Sequence, residues 1–425
     1  MDDDKQIVKK EDYIFGLDIG ASKVNLFVGI SEGESVRVVE CGDFPLESSD
    51  EYDSVVETLQ KAVHVLESSA GVDVRDVYVG IAGKHVSSFS YKGLVTLPTN
   101  EVRDEDIINV QRQASTLPDK AGEIIHIFPG EYTLDDRTGI RNPKGYSGRR
   151  LGVEVQVVTS RPNALQDIAK CVNRAGLNVA GFVLEPLAAA SAVLSDDERE
   201  LGVALIDIGA GSADVAVFVK DSVRYTASLD IAGNIITSDI SKCLKVPVSL
   251  TKAEELKKKY GTCSLNNLIE DETFPVPGVG DRGEVLCSRK LLAQIITARV
   301  AEIFKLLAKD LEKHHLDTVI DGGIVLTGGC CNLAGIEEIA AKVFKKPVHI
   351  GKPRGMSGIQ EAFQNPSYAT GIGLLYYANK KHREKKQRDT DTQLLVTVKK
   401  GMQRIRDIFK TYFKPLNHSN QGDKL

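Results

Sequence analysis

Two stretches of this chain carry the same short phrase: Leu17-Asp18-Ile19-Gly20-Ala21-Ser22-Lys23 and Ile206-Asp207-Ile208-Gly209-Ala210-Gly211-Ser212-Ala213-Asp214. In each, an apolar strand leads into Asp-Ile-Gly, small residues follow, and a second apolar strand leaves (Val24 to Ile30; Val215 to Val219). The pattern predicts a β-hairpin whose turn lacks bulky side chains. Backbone N–H groups in such a turn can approach an anion closely. The aspartate before each turn suits a hydrated Mg²⁺, which keeps several waters and takes one or two carboxylates. One Asp-Ile-Gly arises by chance. Two copies predict two similar half-domains closing on one nucleotide phosphate chain from opposite sides.

A chain of 425 residues has material for two or more domains with buried cores. Hydrophobic content of 42% and charged content of 27% describe an ordinary globular protein. The acidic start, Met1-Asp2-Asp3-Asp4-Lys5, leads into no apolar run, which argues against a secretory signal. No uncharged apolar run reaches the roughly 18 residues of a spanning helix. The seven cysteines are scattered and form no Cys-x-x-Cys, so they are expected as reduced cytosolic thiols, mostly filling cores. The eight histidines show no metal-ligand spacing, and His314-His315 is expected to be solvated at a polar helix end. The net charge of −5 is unevenly placed: residues 380–414 hold twelve Lys/Arg against four Asp/Glu. An acidic body with a basic tail speaks against gripping nucleic acid and for a tail that meets an anionic surface.

Along the chain, Tyr13 to Glu40 reads as a meander, Ser54 to Ser69 as a helix and Val77 to Ile81 as a strand, a β-meander feeding an α/β layer. Residues 90–166 read as a separate α/β module inserted into the first half. It is expected to have an N-capped helix start at Asn100 to Asp106, strands at Glu123 to Phe128 and Leu151 to Thr159, and a polar loop from Asp135 to Arg150. Arg161 to Gly176 returns to helix and Leu177 to Leu184 to strand; Glu185-Pro186 then opens a helix with proline in its first turn. Ser195 to Glu200 reads as a surface loop. Residues 235–320 are more helical (Ile235 to Leu244, Thr251 to Tyr260, Ser288 to His315) around a Gly/Pro-rich stretch, Phe274 to Gly283. Gly323 to Gly329 is a strand ending in a glycine turn, Asn332 to Phe344 a helix, Tyr368 to Ala378 a last core helix, and Asn379 to Thr392 a disordered linker.

Besides the hairpins, two features suit a nucleotide. Thr327-Gly328-Gly329 is a glycine turn where a flat base or ribose packs against bare backbone. Glu254 and Lys257 share a helix face and could hold a ribose hydroxyl and a purine edge, although taken alone the pair is better read as a solvated charged face.

The order of these motifs resembles the actin/DnaK/hexokinase ATPase superfamily, and within it the chain is most similar to the FtsA family of bacterial division proteins. The resemblance rests on Gly16-Leu17-Asp18-Ile19-Gly20-Ala21-Ser22-Lys23-Val24, Val79-Gly80-Ile81-Ala82-Gly83, Leu184-Glu185-Pro186-Leu187-Ala188-Ala189-Ala190, Ile206-Asp207-Ile208-Gly209-Ala210-Gly211, Ala253-Glu254-Glu255-Leu256-Lys257, Leu326-Thr327-Gly328-Gly329 and Ala369-Thr370-Gly371-Ile372-Gly373-Leu374, spanning residues 13–378. The inserted module also sits where that family carries its own subdomain, whereas MreB and the DnaK chaperones place theirs differently.

The resemblance implies an α/β actin-like fold: two duplicated ribonuclease-H-like domains around a nucleotide cleft, with an inserted α/β subdomain in the first half. It implies subdomain 1A at 12–89 with 167–199 and 367–379, 1C at 90–166, 2A at 200–234 with 321–366, and 2B at 235–320. The cofactors implied are ATP and Mg²⁺. Asp18 and Asp207 would orient Mg²⁺ through its waters, and Glu185 would position the attacking water, as a carboxylate in line with a terminal phosphate can. Glu185 also suits a helix N-terminus through the dipole, and the two roles are compatible. Gly20, Ala21, Ser22 and Lys23 would meet phosphates from one side and Gly209, Ala210, Gly211 and Ser212 from the other. Gly233, Glu254, Lys257, Gly328 and Gly329 would hold the nucleoside. ATP is expected mainly as a structural and assembly ligand, with weak hydrolysis at most.

The C-terminal segment points the same way from its own pattern. At 100° per residue Met402, Ile405, Ile408, Phe409, Tyr412 and Phe413 fall in one arc of about 140°. Lys399, Lys400, Arg404, Arg406, Lys410 and Lys414 fall outside it, and Pro415 ends the run. So short a helix is marginal in water but folds on an anionic bilayer surface, with apolar side chains in the headgroup boundary and basic ones on lipid phosphate. Docking on the body or a partner is the alternative. FtsA-like chains are similar here, ending in a linker (380–398 in this chain) and a membrane-targeting helix (399–414). The run Leu394 to Val398 inside the linker has no assigned role.

The function expected from the resemblance is an ATP-binding adaptor in cell division and the cell cycle. It would tether FtsZ through 235–320 to the inner face of the cytoplasmic membrane at the septal Z-ring, as a peripheral membrane protein. It would self-polymerise and meet other division proteins through 90–166. Arg289, Arg299 and Lys305 are candidates for an acidic FtsZ tail. Two other readings stay open. A sugar-kinase-type phosphotransferase needs a substrate pocket with a catalytic acid, for which the sequence offers no candidate. A PilM-like scaffold shares the body but usually lacks a basic C-terminal helix.

Overall fold

The computed structural model describes residues 10–47, 51–116, 122–244, 248–268, 272–277, 283–359 and 364–388. The expected linker end (389–398) and amphipathic segment, including Met402 to Phe413, lie outside the described residues. Two units emerge, Met1–Ala378 and Asn379–Leu425.

The first unit opens with β1 (Tyr13–Ile19), β2 (Lys23–Glu32), β3 (Ser35–Pro45), α1 (Tyr52–Ala70) and β4 (Asp76–Ile81). There follow β5 (Val86–Thr96), α2 (Asp104–Ala114), β6 (Glu123–Leu134), β7 (Arg137–Ile140) and β8 (Arg150–Ser160). The chain then runs through α3 (Pro162–Arg174), β9 (Asn178–Leu184), α4 (Glu185–Val193) and α5 (Asp196–Leu201). The second half comprises β10 (Val203–Ile208), β11 (Ala213–Val219), β12 (Ser222–Leu229), α6 (Gly233–Cys243), α7 (Leu250–Tyr260), β13 (Thr273–Val276), β14 (Val285–Ser288) and α8 (Arg289–Lys313). It continues with β15 (Ile324–Thr327), α9 (Ile336–Phe344) and β16 (Val348–Ile350), and β17 (Ser357–Gly358) returns to the first sheet. Residues 369–378 are helical.

The duplication seen in the motifs extends to the sheets. One has the order β17-β3-β2-β1-β4-β9 and the other β12-β11-β10-β15-β16. In each, an antiparallel hairpin pairs its first strand with a parallel fourth strand. The central strands are buried on both faces, as apolar runs such as Val203–Ile208 require. The halves differ in what they insert. The first carries the β5-β8-β6-β7 sheet with α2 after its fourth strand, around a core of its own. The second carries α6, α7, the β13–β14 hairpin and α8 between its third and fourth strands. A shared core joins the halves: Ala189, Ala190, Ala192 and Val193 from α4, Val203, Leu205 and Ala216 from the second sheet, Phe27 from the first, and Ile372 and Leu375 from the 369–378 helix.

The chain crosses between the sheets after α4 and returns after β16, and these crossings are stitched together. Arg354 N–H donates to Ala192 O at 3.1 Å, and the Arg354 guanidinium reaches both Val193 O and Glu198 Oε2. His349 Nε2 lies 3.3 Å from Glu198 Oε1.

Several local expectations are corrected. The polar loop 135–150 contains β7, because Asp135 adopts a left-handed φ of 52° and turns the chain back on β6. Helix α2 starts later than Asn100, since the extended segment before it pairs with the loop at Ser147 and Gly148. At its start Arg103 is the N-cap, and the Asp106 side chain three residues on accepts from the Arg103 N–H at 3.0 Å. Ser195 to Glu200 is helical: Ser195 and Glu198 form a reciprocal capping box. The segment from Asn332 is interrupted by Gly335 at φ 82°, so α9 begins at Ile336. The Gly/Pro-rich stretch begins in a short strand, β13, which pairs antiparallel with β14 just beyond it. In the second unit residues 379–388 are helical rather than disordered; their Lys, Arg and Glu are good helix formers, and Glu384 pairs with Lys381 and Arg388 at helical spacing.

Candidate functional site

The two hairpin turns are built alike. Gly20 N–H donates to Lys23 O at 3.0 Å and Gly209 N–H to Ser212 O at 2.9 Å. Among the described residues the amides of Ala21, Ser22, Ala210 and Gly211 have no protein acceptor. The turns meet across the cleft: a Cβ on Gly211 would lie 2.8 Å from that of Ala21. This is the close approach that bare backbone permits.

Below the turns lie four carboxylates: Asp207 and Asp214, which are buried, and Asp18 and Glu185, which are half-buried. Asp18 faces Asn25 in the β1–β2 register and accepts from its Nδ2 at 3.3 Å. Asp207 faces Asp214 in the β10–β11 register and accepts from Thr370 Oγ1 at 2.7 Å. Asp214 accepts from Ser212 Oγ at 2.6 Å. Glu185, in the first turn of α4, fits because Gly80 on β4 leaves room: a Cβ there would be 3.0 Å from Glu185 Cγ.

Burial raises the proton affinity of all four, and repulsion from other members of the group adds to it for Glu185 and Asp207. Asp18 is pushed up to about 6 by burial, with Lys23 and Asn25 opposing. Asp207 is pushed up to about 7 by burial, against the Thr370 hydrogen bond, with Asp214 and Asp18 adding repulsion. Burial holds Glu185 well above the carboxylate range, reinforced by Asp18, Asp214 and Asp207. Burial also raises Asp214.

Among the described residues no group of three or more His, Cys, Asp or Glu side chains could itself hold a metal ion. The arrangement fits a hydrated cation instead. Four carboxylates converge, and Asn25 Oδ1 is buried beside Asp18 without a hydrogen-bond partner, a site for a water's proton. Such a cation would neutralise the cluster, and the free turn amides would meet phosphate oxygens.

The other expected residues are distributed unevenly. Lys23 Nζ lies 2.8 Å from Asp43 and over the Tyr368 ring rather than reaching into the turn. Gly328, at φ 92°, packs beneath Asp207, while Gly329 is more open. Gly233 N–H donates to Gly209 O at 3.1 Å, tying α6 to the second turn. Lys257 is buried and its ammonium is saturated: Glu254 at 2.6 Å, Thr237 Oγ1 at 2.9 Å and Gly233 O at 3.0 Å. The Glu254–Lys257 pair therefore braces the second turn from behind. Cys330 shares that corner, its Sγ donating to Gly209 O at 3.1 Å. In 235–320, Arg289 pairs with Glu272 and Arg299 with Asp239 and Glu302, so these cations are engaged within the chain, while Lys305 is exposed.

Sequence reasoning missed the roles of Asn25, Asp214, Thr370 and Gly80. The acid closing the second motif was a usable signal, since hairpin pairing sets it opposite Asp207.

Two matching sheets, facing hairpin turns and a carboxylate-floored cleft define the actin-like fold class, and solved structures agree. The PilM-PilN type IV pilus biogenesis complex aligns with TM-score 0.60 at 17% identity over 86% of this chain and 98% of that one. MreB5 of Spiroplasma citri bound to ADP aligns with TM-score 0.55 at 14% identity over 89% and 99%. More particularly, the chain belongs to the FtsA family of cell division proteins. Residues 204–373 match the family described as "Cell division protein FtsA", and residues 83–159 match "SHS2 domain inserted in FTSA". Cell division protein FtsA of Pseudomonas aeruginosa is 39% identical over 87% of this chain and 90% of its own length. Those of Neisseria meningitidis serogroup B and Escherichia coli K12 are 37% and 34% identical, each covered over 91% of its length.

Proposed function

We propose that the chain binds ATP with Mg²⁺ in this cleft, chiefly as an assembly ligand, and holds FtsZ filaments at the cytoplasmic face of the membrane at the division site. The observation that carries the nucleotide reading is the pairing of two amide-lined turns above four buried or half-buried carboxylates, one of which, Asn25-paired Asp18, sits beside an orphaned acceptor. Bound Mg²⁺ would screen phosphate and carboxylate charge. Asp18, Asp207 and Asp214 orient its waters. Glu185 aligns a water with the terminal phosphate. The turn amides of Ala21, Ser22, Ala210 and Gly211 bind phosphate oxygens, and Gly329 offers a flat surface to the nucleoside. The relative MreB5, bound to ADP on the same fold, supports this use of the cleft.

For assembly, residues 235–320 are the FtsZ-binding region, with exposed Lys305 replacing the engaged arginines as the leading contact for an acidic tail. The inserted domain serves other division partners, and copies of the chain polymerise. The subdomain limits 12–89, 90–166, 200–234 and 235–320 are working boundaries for this division of labour. No helix among the described residues is long and apolar enough to cross a membrane. The tether is the segment 399–414, whose apolar and basic arcs suit an anionic bilayer surface.

The test is recruitment of fluorescent FtsZ from the same organism to anionic vesicles in Mg·ATP, comparing the full chain with one ended after Val398. Recruitment by the full chain alone is expected. Vesicle binding without FtsZ removes the partner, and no vesicle binding by either form removes the tether.

A further inference from the structure

The two hairpin aspartates obtain their neutral hydrogen-bond donors from different places. Asp18 takes its donor from its own hairpin, where Asn25 stands opposite it. Asp207 has an acid, Asp214, in the equivalent position, and an ionised acid donates nothing. Its donor is Thr370 Oγ1, 2.7 Å from Asp207 Oδ2 and buried.

Thr370 belongs structurally to the opposite half. The 369–378 helix that carries it lies against the first sheet with no room to slide. A Cβ on Gly371 would fall 1.8 Å from the Phe27 ring, one on Gly373 1.8 Å from Ala188 O, and one on Gly16 2.9 Å from Leu374 Cβ. The other oxygen of Asp207 is equally confined: a Cβ on Gly328 would lie 2.3 Å from Oδ1. The carboxylate is thus pinned between a hydroxyl from the first half and bare backbone from the second.

We infer that Thr370 is a positioning residue of the cleft: its hydroxyl, carried by the first half, fixes the carboxylate carried by the second. The second hairpin's acid is then aimed correctly only when both halves are assembled. The consequence for ligand affinity rests on the nucleotide reading; the positioning itself does not.

The test uses Thr370→Val, which keeps the shape and removes the hydroxyl, and Thr370→Ser, which keeps the hydroxyl. Two readouts are taken on the full chain. One is the Asp207 side-chain conformation in crystals of the nucleotide-free protein. The other is ADP affinity by calorimetry, in Mg²⁺ and in EDTA. For Thr370→Val, Asp207 is expected to leave its present rotamer or to populate several. The Mg²⁺-dependent gain in affinity is expected to fall about tenfold, the scale of one hydrogen bond to a charged group. The affinity in EDTA should hold within about twofold, and Thr370→Ser should restore Mg²⁺ dependence to within about threefold. An unmoved Asp207 with unchanged Mg²⁺ dependence in Thr370→Val overturns the inference. If the wild type binds no nucleotide, the nucleotide reading fails, and the Asp207 conformation in the variant decides the positioning claim by itself. Should Thr370→Val not fold, Thr370→Ala carries the same expectations.

Discussion

The two Asp-Ile-Gly hairpins share backbone geometry but not electrostatics. In the first copy the register partner of the aspartate is a neutral amide, Asn25, and the charge stands on a lysine-flanked strand. In the second the partner is another acid, Asp214, and the compensating donor arrives from outside the hairpin. In the proposed function, the duplicated turns do the same work, offering free amides to an anion. Burial is the main cause that pushes Asp207 up to about 7 and Asp18 up to about 6; the second copy adds repulsion from Asp214, while in the first Lys23 and Asn25 oppose the shift. A cation that lowers this repulsion should depend on the second copy more than on the first.

The largest effect should therefore come from Asp207→Ala. It is expected to weaken Mg·ATP binding about a hundredfold, as loss of a strong charged contact does. Asp18→Ala should weaken it less, about tenfold on the same scale. Calorimetry on both variants ranks the copies. Equal losses would erase the asymmetry, and unchanged affinity in both would move the nucleotide elsewhere.

The next test concerns pH in the nucleotide-free protein. A buried acid whose folded-state value lies above its unfolded value binds its proton more tightly when folded. Its contribution is fully present below the unfolded value, near 3.8, and is lost as pH rises through the folded value, about 6 for Asp18 and about 7 for Asp207. Thermal stability in EDTA should fall between about pH 4 and pH 7 and level off above that range. Asp214→Asn removes one repelling charge from Asp207. It should raise the melting temperature by a few degrees at pH 8 and change it little at pH 4.5. A flat profile in the wild type, or an equal shift at both pH values, would contradict the proposed charge cluster.

A third variant addresses what the copies share. Gly211→Val places atoms where the turns already approach to 2.8 Å from a bare Cβ. It should open the cleft and reduce nucleotide affinity about tenfold while leaving the cores folded, since residue 211 lies in a turn and not in a strand. Fluorescence titration with a labelled nucleotide, with far-ultraviolet circular dichroism as the folding control, measures both. Unchanged affinity would mean that the turns need not touch.

These comparisons also mark what the sequence makes legible. The hairpins are readable because an apolar strand, a glycine turn and a second apolar strand are local and repeat. The strand order of both sheets follows the same repeat. The insertion is readable because its alternation and polar loops interrupt that plan. Thr370 and Asp207 are different: they lie 163 positions apart, and their contact follows from helix packing that no periodicity encodes. Lys257 has a structural role that the sequence does not show. A helical Glu–Lys pair suggests a surface or a ligand, but packing turned it inward onto Gly233 and Thr237. The short strands β7, β13 and β14 depend on one left-handed aspartate and a brief antiparallel pairing, signals too small to outweigh polar composition.

The smallest effect is expected where the halves are tied rather than where they face each other. Arg354 is half-exposed and its pair with Glu198 is partly open to water, so the ion pair contributes about 1 kcal/mol or less to stability. Its position gives it a second consequence. Arg354 fastens the return crossing to Ala192 and Val193 at the end of α4, so the two connections are tied at this point. Arg354→Ala should lower the melting temperature by no more than about 2 °C yet speed nucleotide dissociation roughly threefold, because a looser hinge samples open clefts more often. Glu198→Gln should speed it less, since the amide oxygen still accepts from Arg354 and from the Ser195 N–H that begins α5. Stopped-flow dissociation of a fluorescent nucleotide separates these outcomes. If Arg354→Ala changes stability and not the dissociation rate, the stitch supports the fold alone, and the asymmetry of the two hairpins accounts for ligand retention without it.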